Sequence, residues 1–177
     1  MANSSRTPSS SSPSPSLAFV IMGVSGSGKT TVGERLAKEL GWSFRDADDF
    51  HPPANVAKMS AGHPLTDADR APWLAAIRTH LAACLARNEN TVVTCSALKE
   101  SYRREVIVDP ARIKVVHLTG DFALIERRLK ARKGHFMKPD MLESQFAALE
   151  PPTDALTLDI ADPPALLVAR IRRTFQV

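Results

Sequence analysis

"LAFVIMGVSGSGKTTVGERLAKEL" (Leu17–Leu40) runs from an apolar hexapeptide through a glycine-rich loop into a helical repeat. "LAFVIM" (17–22) is short and apolar throughout, the pattern of a strand buried on both faces of a parallel sheet. Val32, Leu36 and Leu40 recur every four residues, which places them on one helical face. Between them, "GVSGSGKT" (Gly23–Thr30) matches G-x-x-x-x-G-K-S/T, and the strand-then-helix setting is what gives that pattern meaning. Gly23, Gly26 and Gly28 allow backbone conformations that aim successive N–H groups at an anion, and the positive end of the helix adds to that field. Ser25, Ser27 and Thr31 belong to the same cradle. Lys29 is expected to reach the β- and γ-phosphates as a point charge in catalysis, and Thr30 to place its hydroxyl on Mg²⁺. The ligand class this implies is a nucleoside triphosphate.

Outward from this unit, short apolar runs alternate with amphipathic ones. "TVVTC" (91–95), "IKVVHL" (113–118) and "ALTLDI" (155–160) read as strands, with "WSFRDA" (42–47) weaker. Trp73, Ile77, Leu81 and Leu85 share a helical face. So do Phe122, Ile125 and Leu129, and again Leu167, Ile171 and Phe175. Asp162 followed by Pro163 reads as the N-cap and first-turn pair of that last helix. The alternation implies a three-layer α/β fold with right-handed crossovers, as one domain over residues 17–177.

The 177 residues include 44% hydrophobic and 24% charged side chains, an ordinary globular balance. A net charge of +4 is weak support for nucleic acid, since a small anion would be served as well. Residues 1–16 hold eight serines, three prolines and one charge, and are expected to form a disordered tail. No signal-peptide core and no membrane-spanning run is visible. Cys84 and Cys95 read as buried free thiols, which fits a reducing, cytoplasmic setting.

The chain lacks a guanine-reading N-K-x-D motif, and the strand "TVVTC" runs into Ser96 rather than ending in a metal-binding aspartate. The magnesium-side carboxylate is therefore expected from "DADD", that is Asp46, Asp48 or Asp49, just past the second strand and beside the loop. "RRLKARKGHFMK" (Arg127–Lys138) carries six basic residues and no acid, which suits a basic lid over a triphosphate at about 130–140. Arg128 and Arg132 lie four apart, so one pair could serve both a base and a phosphate. "SALKESYRR" supplies a Lys, two Arg, a Tyr and two Ser within nine residues, suited to a hydroxy-acid or to a plain polar surface. His63 and His80 read as surface residues, His117 as a hydrogen-bonded core histidine, and Trp42 and Trp73 as packing.

The blocks "MGVSGSGKT", "DADDFHP", "KMSAGHPLTDADRAPWL", "CSALKESYR", "HLTGDF" and "RLKARKGHFMKPDMLESQFAALEPP" together resemble the gluconokinases of the small P-loop type. The resemblance implies a fold like that of shikimate and nucleoside-monophosphate kinases: a parallel five-stranded sheet, helices on both faces and a lid. It implies transfer of phosphate from ATP to the 6-hydroxyl of D-gluconate with Mg²⁺, often by a homodimer. It assigns Asp46 to Mg²⁺ through water and Asp48 to the attacking hydroxyl. His51, Arg70 and Trp73 would line the acceptor side, and Lys99, Tyr102 and Arg103 would meet the carboxylate and hydroxyls. Arg128 would stack on adenine and Arg132 would clamp the transferring phosphate. Lys133, His135 and Gln145 would belong to the lid and its hinge, with His135 and Gln145 facing the substrate. A kinase for another small hydroxy-acid such as shikimate would share Asp46, Asp48 and the lid. A non-kinase nucleotide-binding protein would show no acceptor dependence.

Overall fold

β1 (Ala18–Met22) is buried along its whole length, and its alternating side chains divide the protein into two cores. Phe19 and Ile21 face one side, where α1 (Lys29–Leu40) and α7 (Pro164–Phe175) supply Val32, Leu36, Leu167 and Ile171. Val20 and Met22 face the other, against Trp73, Ile77, Leu81 and Leu85 of α3 (Asp67–Ala86) and Val106 of α4 (Glu100–Val106). A strand flanked in this way has no solvent face, which is why its sequence shows no polar alternation.

The computed structural model describes residues 15–131 and 139–177. Its five strands, β1, β2 (Ser43–Asp46), β3 (Thr91–Thr94), β4 (Ile113–Thr119) and β5 (Leu156–Asp159), form a parallel sheet in the order β2-β3-β1-β4-β5. The chain moves from β1 to one edge, returns through β3, and then passes over β1 to build the other half. The phosphate loop and the end of β2 therefore meet at the carboxyl edge of the sheet, where open α/β sheets hold ligands.

Local chemistry sets the element ends. α1 stops at Gly41, whose φ of 68° lets its N–H turn back to the carbonyls of Ala37 and Lys38. Trp42 then stacks on Phe19 at 5.4 Å, and Phe175 tilts against the same ring at 5.1 Å. α3 opens with a capping box, Thr66 and Asp69 each satisfying the other's backbone N–H. α5 (Phe122–Ala131) buries Ile125, and α6 (Pro139–Ala148) sets Leu142 into the same core as α1 and α7.

Several sequence expectations change. Ser16, counted with the tail, is buried, and its N–H donates to Asn88 Oδ1 at 3.0 Å. Asp162 does not cap α7. Pro163 holds that position at ψ 149°, because a residue before proline avoids the helical region, and Asp162 pairs with Arg170 at 2.7 Å instead. His80 is half-buried against Phe50 rather than on the surface. His117 is buried as expected, but its Nε2 finds no partner among the described residues. The 3₁₀ turn Ala47–Phe50 and α2 (Pro53–Ser60) carried no periodic signal; Pro53 starts the latter at a position where its missing N–H costs nothing. Cys84 and Cys95 are both buried and free.

α1 lies close on the sheet at Gly33, where an added Cβ would meet Thr94 Cγ2 at 2.8 Å and Phe44 Cε2 at 2.9 Å. Gly33→Ala is expected to destabilise the fold by about 1–3 kcal/mol, the usual cost of overpacking. Urea unfolding should show a lower midpoint with an unchanged slope.

Candidate active site

The phosphate loop is shaped by contacts that only glycine permits. A Cβ on Gly23 (φ 146°) would meet Leu118 O at 2.5 Å, and one on Gly26 (φ 80°) would meet Leu129 Cγ at 2.7 Å. Gly28 occupies the N-cap of α1 at φ 89°, and no side chain caps that helix end. The first-turn N–H groups are thus left for an anion. Lys29 Nζ donates to Val24 O at 3.1 Å, so the ammonium folds back across the loop. Ser27 is buried, and its hydroxyl lacks a partner among the described residues.

Gln145 was expected on the substrate side of a hinge. In the structure it clasps the loop: its Oε1 accepts from Ser25 N–H at 2.7 Å and its Nε2 donates to Ser25 Oγ at 3.1 Å. A carboxamide carries both a donor and an acceptor, so it can satisfy both groups of one serine.

The acidic stretch begins where β2 ends. Asp46 Oδ2 accepts from Thr30 Oγ1 at 3.0 Å, and its Oδ1 caps the following turn through Asp48 N–H at 3.1 Å. Asp48 opens onto the cleft with a solvent-exposed surface, although protein atoms crowd around its carboxyl. Burial, and then the charge of Asp46, push its carboxyl above the usual aspartate range, against the pull of Lys29 and His51. Asp49 does not line the cleft.

Thr30 and Asp46 form a pair of hard oxygen donors beside the phosphate loop. Among the described residues no three His, Cys, Asp or Glu side chains converge. The Thr30–Asp46 pair fits Mg²⁺, which takes one or two protein oxygens and completes its shell with phosphate and water.

These groups share one cleft of about 820 Å³. Its far end is walled by Arg128, Ile160, Pro164 and Leu167, with Asp162 beside them. Arg128 Nη2 donates to Ile160 O at 2.8 Å, which fixes the guanidinium plane against an apolar slot fit for a purine. Sequence reading found Arg128 but not its partners, because "DIADPPALL" looks like an ordinary strand-to-helix connection. Arg132, Lys133 and His135, and most of the expected lid, lie outside the described residues.

The acceptor-side residues do not line this cleft. His51 stacks on Trp73 at 4.6 Å and 8°, while Trp73 Nε1 donates to Ala47 O at 2.7 Å. Asn55, which the sequence reading missed, reaches Asp69 O at 2.7 Å and lies 3.5 Å from His51 Nδ1. Burial lowers the His51 pKa, with Asp48 opposing and Arg70 reinforcing that shift, so the ring lies within electrostatic reach of both. Arg70, Lys99 and Tyr102 gather around Asp67: Lys99 Nζ is 3.0 Å from Oδ1, the Tyr102 hydroxyl donates to the same oxygen, and Arg70 lies 3.9 Å away. Arg103 departs from expectation. It is buried, and its Nη1 donates to the carbonyls of Ala97 and Leu98 at 3.0 Å each. It holds the β3–α4 loop, where Ala97 sits at φ 39°.

Residues 25–152 match the family model for shikimate kinase. The chain is 52% identical over 136 residues to a gluconokinase of Gluconobacter oxydans (strain 621H), covering 77% of this chain and 76% of that protein. It is 45% identical over 149 residues to the thermoresistant gluconokinase of Escherichia coli (strain K12), covering 82% and 85%. A solved gluconokinase of Sinorhizobium meliloti 1021 superposes with a TM-score of 0.79 at 41% identity, over 92% of this chain and 96% of that one. The fold, the phosphate loop and this kinship agree: the chain belongs to the shikimate-kinase-like P-loop kinases, within their gluconokinase branch.

Proposed function

We propose that this kinase moves the γ-phosphate of ATP to the 6-hydroxyl of D-gluconate, giving 6-phospho-D-gluconate and ADP, with the residues of the cleft dividing the work. The activity as a gluconokinase rests on the kinship. The division of labour rests on one observation, the Thr30–Asp46 hydrogen bond with Asp48 two residues further on.

In this reading the loop from Gly23 to Thr31 binds the triphosphate through its N–H groups and Lys29. Thr30 and Asp46 hold Mg²⁺, which when bound offsets phosphate charge. The purine lies against Ile160, Pro164 and the Arg128 plane. Asp48 faces the acceptor. As the hydroxyl oxygen bonds to the γ-phosphorus and the bond to the β-γ bridging oxygen breaks, the hydroxyl proton passes to the Asp48 carboxylate. Its raised pKa makes it a better base than an ordinary aspartate, and the half-buried His51, its own pKa lowered, does not compete as a fixed cation. Arg132 and His135, in the basic segment, would close over the transferring group and exclude water. Gln145 supports the loop and not the substrate, and Arg103 supports the wall behind Lys99. Assembly as a homodimer and a cytoplasmic location complete the reading; the first is supported by the family resemblance and the second by the free, buried cysteines. Among the described residues no helix is long and apolar enough to cross a membrane.

ADP release measured with ATP, Mg²⁺ and a panel of gluconate, shikimate, glycerate and nucleoside monophosphates should show turnover with gluconate and little with the others. Equal or greater turnover with shikimate would overturn the acceptor assignment. Asp48→Asn should cut kcat by about 10²-fold or more, the scale of a lost general base, while leaving the affinity for an ATP analogue near normal. In the native enzyme, kcat/KM should fall as pH drops through the raised Asp48 pKa. The same shift has a stability sign. A carboxyl whose folded pKa lies above its unfolded value supports the fold while protonated, and that support is lost as pH rises through the folded pKa. At pH 7 the Asn variant should therefore unfold at a temperature equal to or above that of the native protein, although it is nearly inactive.

A further inference from the structure

Asp67 is an exposed aspartate with the surroundings of a bound ligand. Its side chain is 68% accessible, yet both carboxylate oxygens are engaged by Lys99 Nζ, at 3.0 and 3.1 Å. The Tyr102 hydroxyl donates to Oδ1, and Arg70 stands 3.9 Å away. Arg70 and Lys99 also lie over the Tyr102 ring, at 5.6 and 5.3 Å from its centroid. Two cations and a phenol thus converge on a single carboxylate, and together they hold the Asp67 carboxyl below its usual range. Such a donor set recognises a carboxylate from any source.

Position supports that view. Asp67 is the first residue of α3, whose start is fixed by the Thr66–Asp69 capping box and not by Asp67. The backbone can therefore stay in place while the exposed side chain turns into solvent. Arg70 lies within electrostatic reach of His51, and His51 within reach of Asp48. The proposed base and this cluster thus lie on either side of His51, an arrangement suited to an acceptor with a hydroxyl at one end and a carboxylate at the other.

We propose that Asp67 is an internal stand-in for the substrate carboxylate: in the free enzyme it occupies the Lys99–Tyr102–Arg70 subsite, and gluconate displaces it on binding. This rests on the gluconate reading above and adds a self-competition to it. The plug keeps two cations paired in the empty site, so a free anion must compete for them. It also lowers the apparent affinity for gluconate by the fraction of molecules in which Asp67 is seated.

Calorimetric titration with gluconate, and with glucitol as its neutral counterpart, tests this on the native protein, Asp67→Asn and Asp67→Ser. Both variants should bind gluconate about two- to fivefold more tightly, the range expected for releasing an exposed ion pair, with glucitol binding unchanged. Gluconate binding that is unchanged or weaker, or loss of folding in both variants, would make Asp67 a strut between α3 and α4 and overturn the proposal. Native protein that releases ADP with gluconate while the variants bind it no more tightly would remove the plug and leave the function standing. Native protein that neither binds nor phosphorylates gluconate would remove both.

Discussion

The hydrogen bond between Thr30 and Asp46 joins two segments that have no local reason to meet. One is the first turn of a helix and the other the last residue of a strand at the sheet edge. They touch because α1 lies flat on β3 and β2, and it lies flat because Gly33 leaves room for Thr94 and Phe44. A helix displaced by the width of a methyl group would carry Thr30 away from Asp46 and tilt the N–H groups that face the phosphates. The site is thus a product of sheet packing as much as of its own residues, and its geometry draws stiffness from the core beneath it.

Much of this was legible from residue order. The phosphate loop declares itself because phosphate geometry admits few residue types at fixed offsets, and strands such as "LAFVIM" declare themselves because burial on both faces removes polar alternation. The lack of a carboxylate after β3 pointed to Asp46, Asp48 or Asp49, the family resemblance singled out Asp46, and Asp46 stands next to Thr30. Other features had no local signature. Pro163 took the cap position from Asp162 because it is constrained by the next proline. Arg103 looked like a ligand group in a polar helix, but a guanidinium satisfied by two carbonyls can be buried where a sequence pattern sees only charge. Gln145 reaches Ser25 across 120 residues, and no spacing rule anticipates such a contact.

The two faces of the sheet carry different duties. The loop, the apolar slot beside Arg128 and Gln145 belong to the side of α1, α5, α6 and α7, and in the proposed reading deal with the nucleotide. His51, Arg70, Lys99 and Tyr102 belong to the side of α3 and α4, where the proposed reading puts the acceptor, and that reading sets Asp48 between the two. Changing the acceptor in such a design means altering one helical layer while the other keeps its sequence pattern. This agrees with a family model named for one acid matching a chain whose near relatives act on another.

The ring of Phe19 is covered on one side by Trp42 and on another by Phe175. β1 is the first strand to leave the ribosome, and its aromatic face has to wait for the last helix. Until α7 emerges, the nascent chain holds a finished phosphate-loop sequence over an open hydrophobic wall. Closing that wall therefore waits on contacts of long sequence separation, the kind that slows folding.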